Sequence, residues 1–184
     1  MTISIPAGRR AAVAAAALGF TLALAAAAFA DGGGGGDNQP NTRTCGKGEV
    51  WDSRNQKCVK AENGVLPDKN LAENAYALAK TERYTEALAV LDLMKDPNTA
   101  VALNYRGYAT RRMGEVDKGI GYYLKSVALD PNYAQVREYL GEAYLIKGDV
   151  PRAEAQLQAI KKICGTTCEE YRDLLVAIAD PTRL

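Results

Sequence analysis

Four cysteines and a complete lack of histidine define the side-chain chemistry open to this chain of 184 residues. Without imidazole there is no Ser-His-Asp or Cys-His nucleophile activation and no imidazole metal ligation. An enzyme made from this chain would have to work with carboxylates, lysine, tyrosine or thiols. The acidic pairs Asp92/Asp96 and Glu169/Glu170 fit helix surfaces and helix ends, and no glycine-rich phosphate loop stands between a strand and a helix. The thiols are Cys45, Cys58, Cys164 and Cys168. Two thiolates close in sequence fall short of the four ligands a structural zinc takes. No metal and no cofactor are therefore expected.

The compartment settles how the thiols are read. Residues 1–30 have the layout of a secretory signal: Arg9 and Arg10, a charge-free apolar run from Ala11 to about Ala27, then Ala28-Phe29-Ala30 as a cleavage site before Asp31. The run is alanine-rich and only weakly apolar, so cleavage is expected rather than a retained anchor. No membrane span is expected after it. Export is the consequence, to the periplasm first and to the outside as the alternative. An even number of cysteines in an exported chain points to two disulfides, and four cysteines allow three pairings. The local pairs Cys45–Cys58 and Cys164–Cys168 are expected, because each falls inside its own compact segment. With the leader removed, 21 basic residues face 22 acidic ones. No basic tract remains, so nucleic acid is not expected as a partner.

The rest of the chain divides by composition. Residues 31–44 hold five consecutive glycines and bury too little apolar surface to order, which predicts a flexible linker. Residues 45–60 read as a small disulfide hairpin: Val50-Trp51 and Cys58-Val59 favour strand, and Asp52-Ser53-Arg54-Asn55-Gln56 has turn chemistry. Its opening, Cys45 to Asp52, resembles small cystine modules of secreted proteins. Trp51, the only tryptophan, is expected as core against the helical region beside it, with sugar stacking as the alternative. From Leu66 the apolar spacing is helical. Helices are expected near 69–80 with Asp68 as N-cap, 84–94, 99–112, 116–129, 133–146, 151–163 and 168–179. Thr166-x-x-Glu169 and Thr167-x-x-Glu170 read as capping boxes for the last of these.

A repeat of thirty-four residues underlies the helices. Gly107 aligns with Gly141, Gly114 with Gly148 and Tyr123 with Leu157. A fixed period of this length means stacked helical units that bury their apolar faces against one another. Residues 134–167 carry Leu140-Gly141-x2-Tyr144 and then Ala153-x3-Leu157. Residues 100–133 carry Gly107, Gly114, Tyr123 and Asp130-Pro131. Residues 68–99 keep Leu71, Ala75, Ala87 and Leu91, with Pro97 two residues early. This pattern resembles the tetratricopeptide repeat of exported bacterial type. The resemblance covers roughly 66–180 and implies an all-α solenoid of helical hairpins with a C-terminal capping helix at 168–179. Leu174, Leu175 and Ile178 would point inward from that cap. Small residues at Ala75, Gly107 and Gly141 would let paired helices approach.

In that family the first helix of each repeat lines a concave surface. The matching positions are Lys69, Ala72, Tyr76 and Lys80; Asn104, Tyr108, Arg111 and Arg112; and Gln135, Glu138, Glu142 and Leu145. Tyrosine beside paired arginines suits an extended acidic peptide or a chain terminus. The lysine and asparagine pattern that related repeats use to clamp chaperone C-termini is incomplete here. The function implied is a non-enzymatic adaptor that binds a protein or peptide in its groove. Two rivals are a thiol–disulfide protein using Cys164/Cys168 and a glycan-binding protein using Trp51 in the Cys45–Cys58 module. Three residues separate Cys164 from Cys168, not the two of C-x-x-C motifs, and no βαβ pattern surrounds them, which favours a staple at a helix corner. The partner's identity and the oligomeric state are not encoded in any motif.

Overall fold

The structure, a computed structural model, describes residues 43–184. The expected leader at 1–30 and nearly all of the expected linker at 31–44 lie outside the described residues. The hairpin forms as β1 (Glu49–Asp52) and β2 (Lys57–Lys60), antiparallel, with Trp51 opposite Cys58. The disulfide Cys45–Cys58 closes it. Constraining a loop of this size stabilises the folded state by about 3 kcal/mol on the chain-entropy account. Asp52 organises the turn, accepting from the backbone N–H groups of Arg54 and Asn55 and from the Asn55 side chain.

Seven α-helices come after it among the described residues: α1 (Asp68–Lys80), α2 (Tyr84–Leu91), α3 (Ala100–Arg112), α4 (Val116–Leu129), α5 (Ala134–Ile146), α6 (Val150–Cys164) and α7 (Glu169–Ala179). They pair as α1/α2, α3/α4 and α5/α6, with α7 laid on α5 and α6. The first helices α1, α3 and α5 sit side by side in that order. One buried cluster runs from Val50 of the hairpin through Leu71, Leu91, Tyr123 and Leu140 to Ala177 of α7. None of these helices is long and apolar enough to cross a membrane.

The period recurs in backbone detail. α1, α3 and α5 each have 13 residues. Asp96 and Asp130 each accept from the backbone N–H two residues on, so the same Asx turn leads into α3 and α5. Gly114 (φ 91°) and Gly148 (φ 74°) close α3 and α5 in the left-handed region, where glycine has no Cβ to clash. The turn after α1 places Glu82 there instead, at φ 64°. The first repeat is two residues short because α2 stops at Leu91, not near 94; Met94 is still buried, on the turn after it.

Close approach explains two glycines. A methyl on Gly107 would stand 2.6 Å from the Tyr123 ring of α4, the paired helix. A methyl on Gly141 would meet Leu174 of α7 at 2.6 Å, so this glycine admits the cap rather than only its own pair. Leu174 is fully buried there, worth about 1.5–3 kcal/mol. Leu175 is 46% exposed, against the expectation that it points inward. It falls at the phase of Gly107 and Gly141, the side α3 turns to its second helix, and α7 has no second helix.

Helix starts differ from expectation at two places. Pro67 occupies the N-cap of α1. Asp68 instead accepts from the backbone N–H groups of Lys95 and Asp96, both at 2.9 Å, and ties α1 to the α2–α3 turn. Those donors hold its carboxyl below the ordinary range. Neither capping box at Thr166 or Thr167 forms; Cys168 is the N-cap of α7, and the Cys164–Cys168 disulfide fixes the corner. Side-chain caps do form at Thr99 for α3 and Asp149 for α6.

Glu82→Gly is expected to raise stability by about 0.5–1 kcal/mol, by relieving left-handed strain without losing a strong partner. Gly107→Ala is expected to lower it by about 1–3 kcal/mol through overpacking against Tyr123. Urea unfolding followed by circular dichroism checks both.

Candidate functional site

The inner face of α1, α3 and α5 is built on tyrosine. The Tyr76 and Tyr105 rings stack at 4.6 Å, and Tyr76 meets Tyr108 edge-on at 6.3 Å. Tyr108 lies 5.1 Å from Tyr139. The Tyr76 and Tyr139 hydroxyls share a 3.0 Å hydrogen bond, so the first repeat touches the third. Burial raises the phenols of Tyr105, Tyr108 and Tyr139 above the ordinary value, keeping them neutral at physiological pH. The rings fill the groove floor, and a ligand would rest on aromatic faces.

Charge frames this floor. The Lys80 ammonium lies over Tyr76 at 5.9 Å and over Tyr108 at 5.7 Å, and remains exposed. Arg111 approaches the same Tyr108 ring at 5.7 Å and Tyr139 at 5.9 Å. Arg111 is buried, and its Nη2 donates to Glu142 Oε2 at 2.6 Å. Its guanidinium is therefore committed internally, which corrects the expectation that it would reach a ligand carboxylate. Its Nε and the Tyr123 hydroxyl are sealed without hydrogen-bond partners among the described residues. Arg112 is exposed but turned to the α1–α2 turn, donating to the Tyr84 hydroxyl and standing 4.0 Å from Glu82. It belongs to the rim.

The remaining predicted residues divide further. Asn104 is fully buried and donates to the Tyr133 hydroxyl and Gln135 Oε1, so it joins α3 to the start of α5 rather than facing a ligand. Ala72 and Leu145 are buried as well, while Lys69 is exposed. Glu138 is 8% exposed and makes no hydrogen bond among the described residues. Its pKa is pushed up to about 9, first by burial and then by Glu142, Asp173, Glu170 and Glu169. It is protonated at neutral pH.

The structure thus brings Tyr76, Lys80, Tyr108, Arg111 and Glu142 into one cluster and sets Asn104, Arg112 and Glu138 around it. Sequence reasoning missed Tyr105 and Tyr139 as floor residues. They stand thirty-four apart, and that shared phase was the available signal.

Both disulfides expected from local spacing are formed. Glu170 lies near the Cys164 and Cys168 sulfurs, but with these joined only the carboxylate has a free donor. Trp51 is half-buried on the hairpin. Its backbone exchanges two hydrogen bonds with the Asn74 amide of α1, its indole N–H is sealed, and the Arg43 guanidinium covers its ring at 5.1 Å. A shallow apolar pocket lies away from the groove, where Ala61, Leu78, Ala89, Val90 and Leu93 meet behind the hairpin.

The helical region is therefore a solenoid of helical hairpins with an aromatic inner face. The model of the tetratricopeptide-repeat family matches residues 122–155. Among solved structures, the first TPR domain of human RPAP3 is similar at a TM-score of 0.53 and 19% identity, over 63% of this chain and 92% of that one. The type III secretion translocator chaperone SycD of Yersinia enterocolitica is similar at 0.51 and 19%, over 63% and 87%. MamA is similar at 0.52 and 19%, over 62% and 68%. Residues 122–155 thus match a tetratricopeptide repeat, and the helical region has the fold of tetratricopeptide-repeat structures. No curated protein sequence matches it.

Arg111→Ala is expected to destabilise by about 3 kcal/mol, because it leaves Glu142 unpaired beside buried aromatics. Arg112→Ala should stay within about 0.5 kcal/mol. Glu138 titrates above its unfolded value, so the stability it confers is complete below the ordinary carboxylate range and is lost as pH rises towards 9. Glu138→Gln should match the wild type near pH 4 and gain on it with rising pH, by on the order of 1–3 kcal/mol at pH 7. Urea titrations across pH check this.

Proposed function

We propose that the chain is an exported, non-catalytic adaptor whose concave face binds an extended segment of a partner protein. The observation that carries this reading is the tyrosine floor shared by α1, α3 and α5, with Lys80 exposed above it. Neutral aromatic faces receive apolar and backbone groups of a peptide, and the flanking charges orient it. Proteins of the same fold support it: SycD has been solved with a peptide of the translocator YopD, PcrH with the chaperone-binding region of PopB, and an RPAP3 repeat domain with an HSP90 peptide. The leader and the two disulfides support export to an oxidising compartment, the periplasm first. Cys164–Cys168 acts in this reading as a staple for α7, and the hairpin as the N-terminal cap.

The test is capture of partners from envelope extract on the immobilised chain, beside a Lys80→Glu/Arg112→Glu double variant. Both side chains are exposed, so the variant should fold normally. The reading expects a protein retained by the wild type and weakened about tenfold or more by the variant. Equal retention would move the binding surface away from the groove.

A further inference from the structure

The two ends of the groove differ in charge. Lys80 and Arg112 stand at the α1–α3 end, with Glu82 4.0 Å from Arg112 and Glu73 also on α1. At the α5–α7 end the charges around Glu138 are Glu142 on its own helix, Glu169, Glu170 and Asp173 on α7, and Arg111 on α3. Arg111 is already paired with Glu142. Arg172 of α7 is exposed and forms no ion pair among the described residues. Glu138, Glu169, Glu170 and Asp173 likewise have no basic partner there.

Glu138 is the unusual member. It is more than nine-tenths buried, it has no hydrogen-bond partner among the described residues, and four carboxylates raise its pKa further. Its oxygens are not among the sealed polar atoms, so the carboxyl keeps contact with solvent. A carboxyl in such a place is stable only as the neutral acid until a cation arrives to compensate it.

Resting on the groove reading above, we propose that the α5–α7 end binds a lysine or arginine side chain of the partner segment, with Glu138 as its counter-ion. Entry of the cation ionises Glu138 and its proton leaves to the buffer. The groove is then polar along its length, acidic residues of the segment lying towards α1 and basic ones towards α7. Binding and proton release are linked, so affinity rises with pH between neutrality and the value of about 9 that Glu138 has when free.

The experiment selects a displayed library of random decapeptides on the full chain, on Glu138→Gln and on Lys80→Glu/Arg112→Glu. The tightest peptide is then titrated calorimetrically at pH 7 in two buffers of different ionisation heat. Glu138→Gln keeps the neutral form that the free protein already has, so it folds. Expected are enrichment of lysine or arginine on the wild type, release of about one proton per peptide, and loss of both with about tenfold weaker binding in Glu138→Gln. If peptides are enriched on the wild type and lost on the double variant, while Glu138→Gln keeps the same basic preference and proton count, the assignment of Glu138 is wrong and the groove reading stands. If no peptide is enriched on the wild type, both fail.

Discussion

The contact between Tyr76 of α1 and Tyr139 of α5 passes over α3 and ties together repeats that the chain separates by a whole helical hairpin. In a solenoid each unit ordinarily leans only on its neighbours, and curvature is the sum of small rotations. Here Tyr108 and Tyr105 fill the space beneath that bond, so the inner face has one aromatic core of its own. Curvature is then set by ring packing. The same packing decides what recognition can look like: side chains of a ligand lie on the rings and meet charge at the edges, and deep insertion is excluded along the middle.

The aromatic floor also explains where the arginines go. A cation beside several ring faces is attracted to them, but burial demands a counter-charge. Arg111 has both, with Tyr108, Tyr139 and Glu142 around it, and so becomes part of the scaffold. Lys80, with the rings but no carboxylate, stays at the surface. Adjacent arginines on one helix face different neighbours, which is why Arg112 reaches the α1–α2 turn instead.

Much of this was legible in the sequence. The period, the paired glycines at 114 and 148, and the apolar spacing specified seven helices and their pairing, and cysteine spacing anticipated both disulfides. What was not legible depends on tertiary partners. Thr166 and Thr167 satisfy a local capping rule, yet the corner held by Cys164–Cys168 starts α7 one residue later. Leu175 fits an inward helical stripe, and only the missing partner of α7 leaves it exposed. In the candidate site, family phase selected helix faces but carried no information on the depth of each residue. Asn104, Arg111 and Glu138 share the groove phase with exposed Lys69, and their burial comes from neighbours a repeat away.

The closed ends of the solenoid bear on how long the molecule lasts. Arrays of stacked units unravel by peeling from a terminus, one unit at a time. At the N-terminus the crosslinked hairpin is held by Asn74 and by Arg83, whose Nη1 donates to the Cys45 carbonyl. At the C-terminus α7 is joined to α6 through Cys164–Cys168 and seated by Leu174. The crosslinked hairpin must let go as a block, and the start of α7 stays tied to α6 even where its far end frays. Proteases act on chains that open locally, and this architecture makes the first opening a large and infrequent event. Persistence is then a matter of rate, governed by two terminal latches, more than of the depth of the folded minimum.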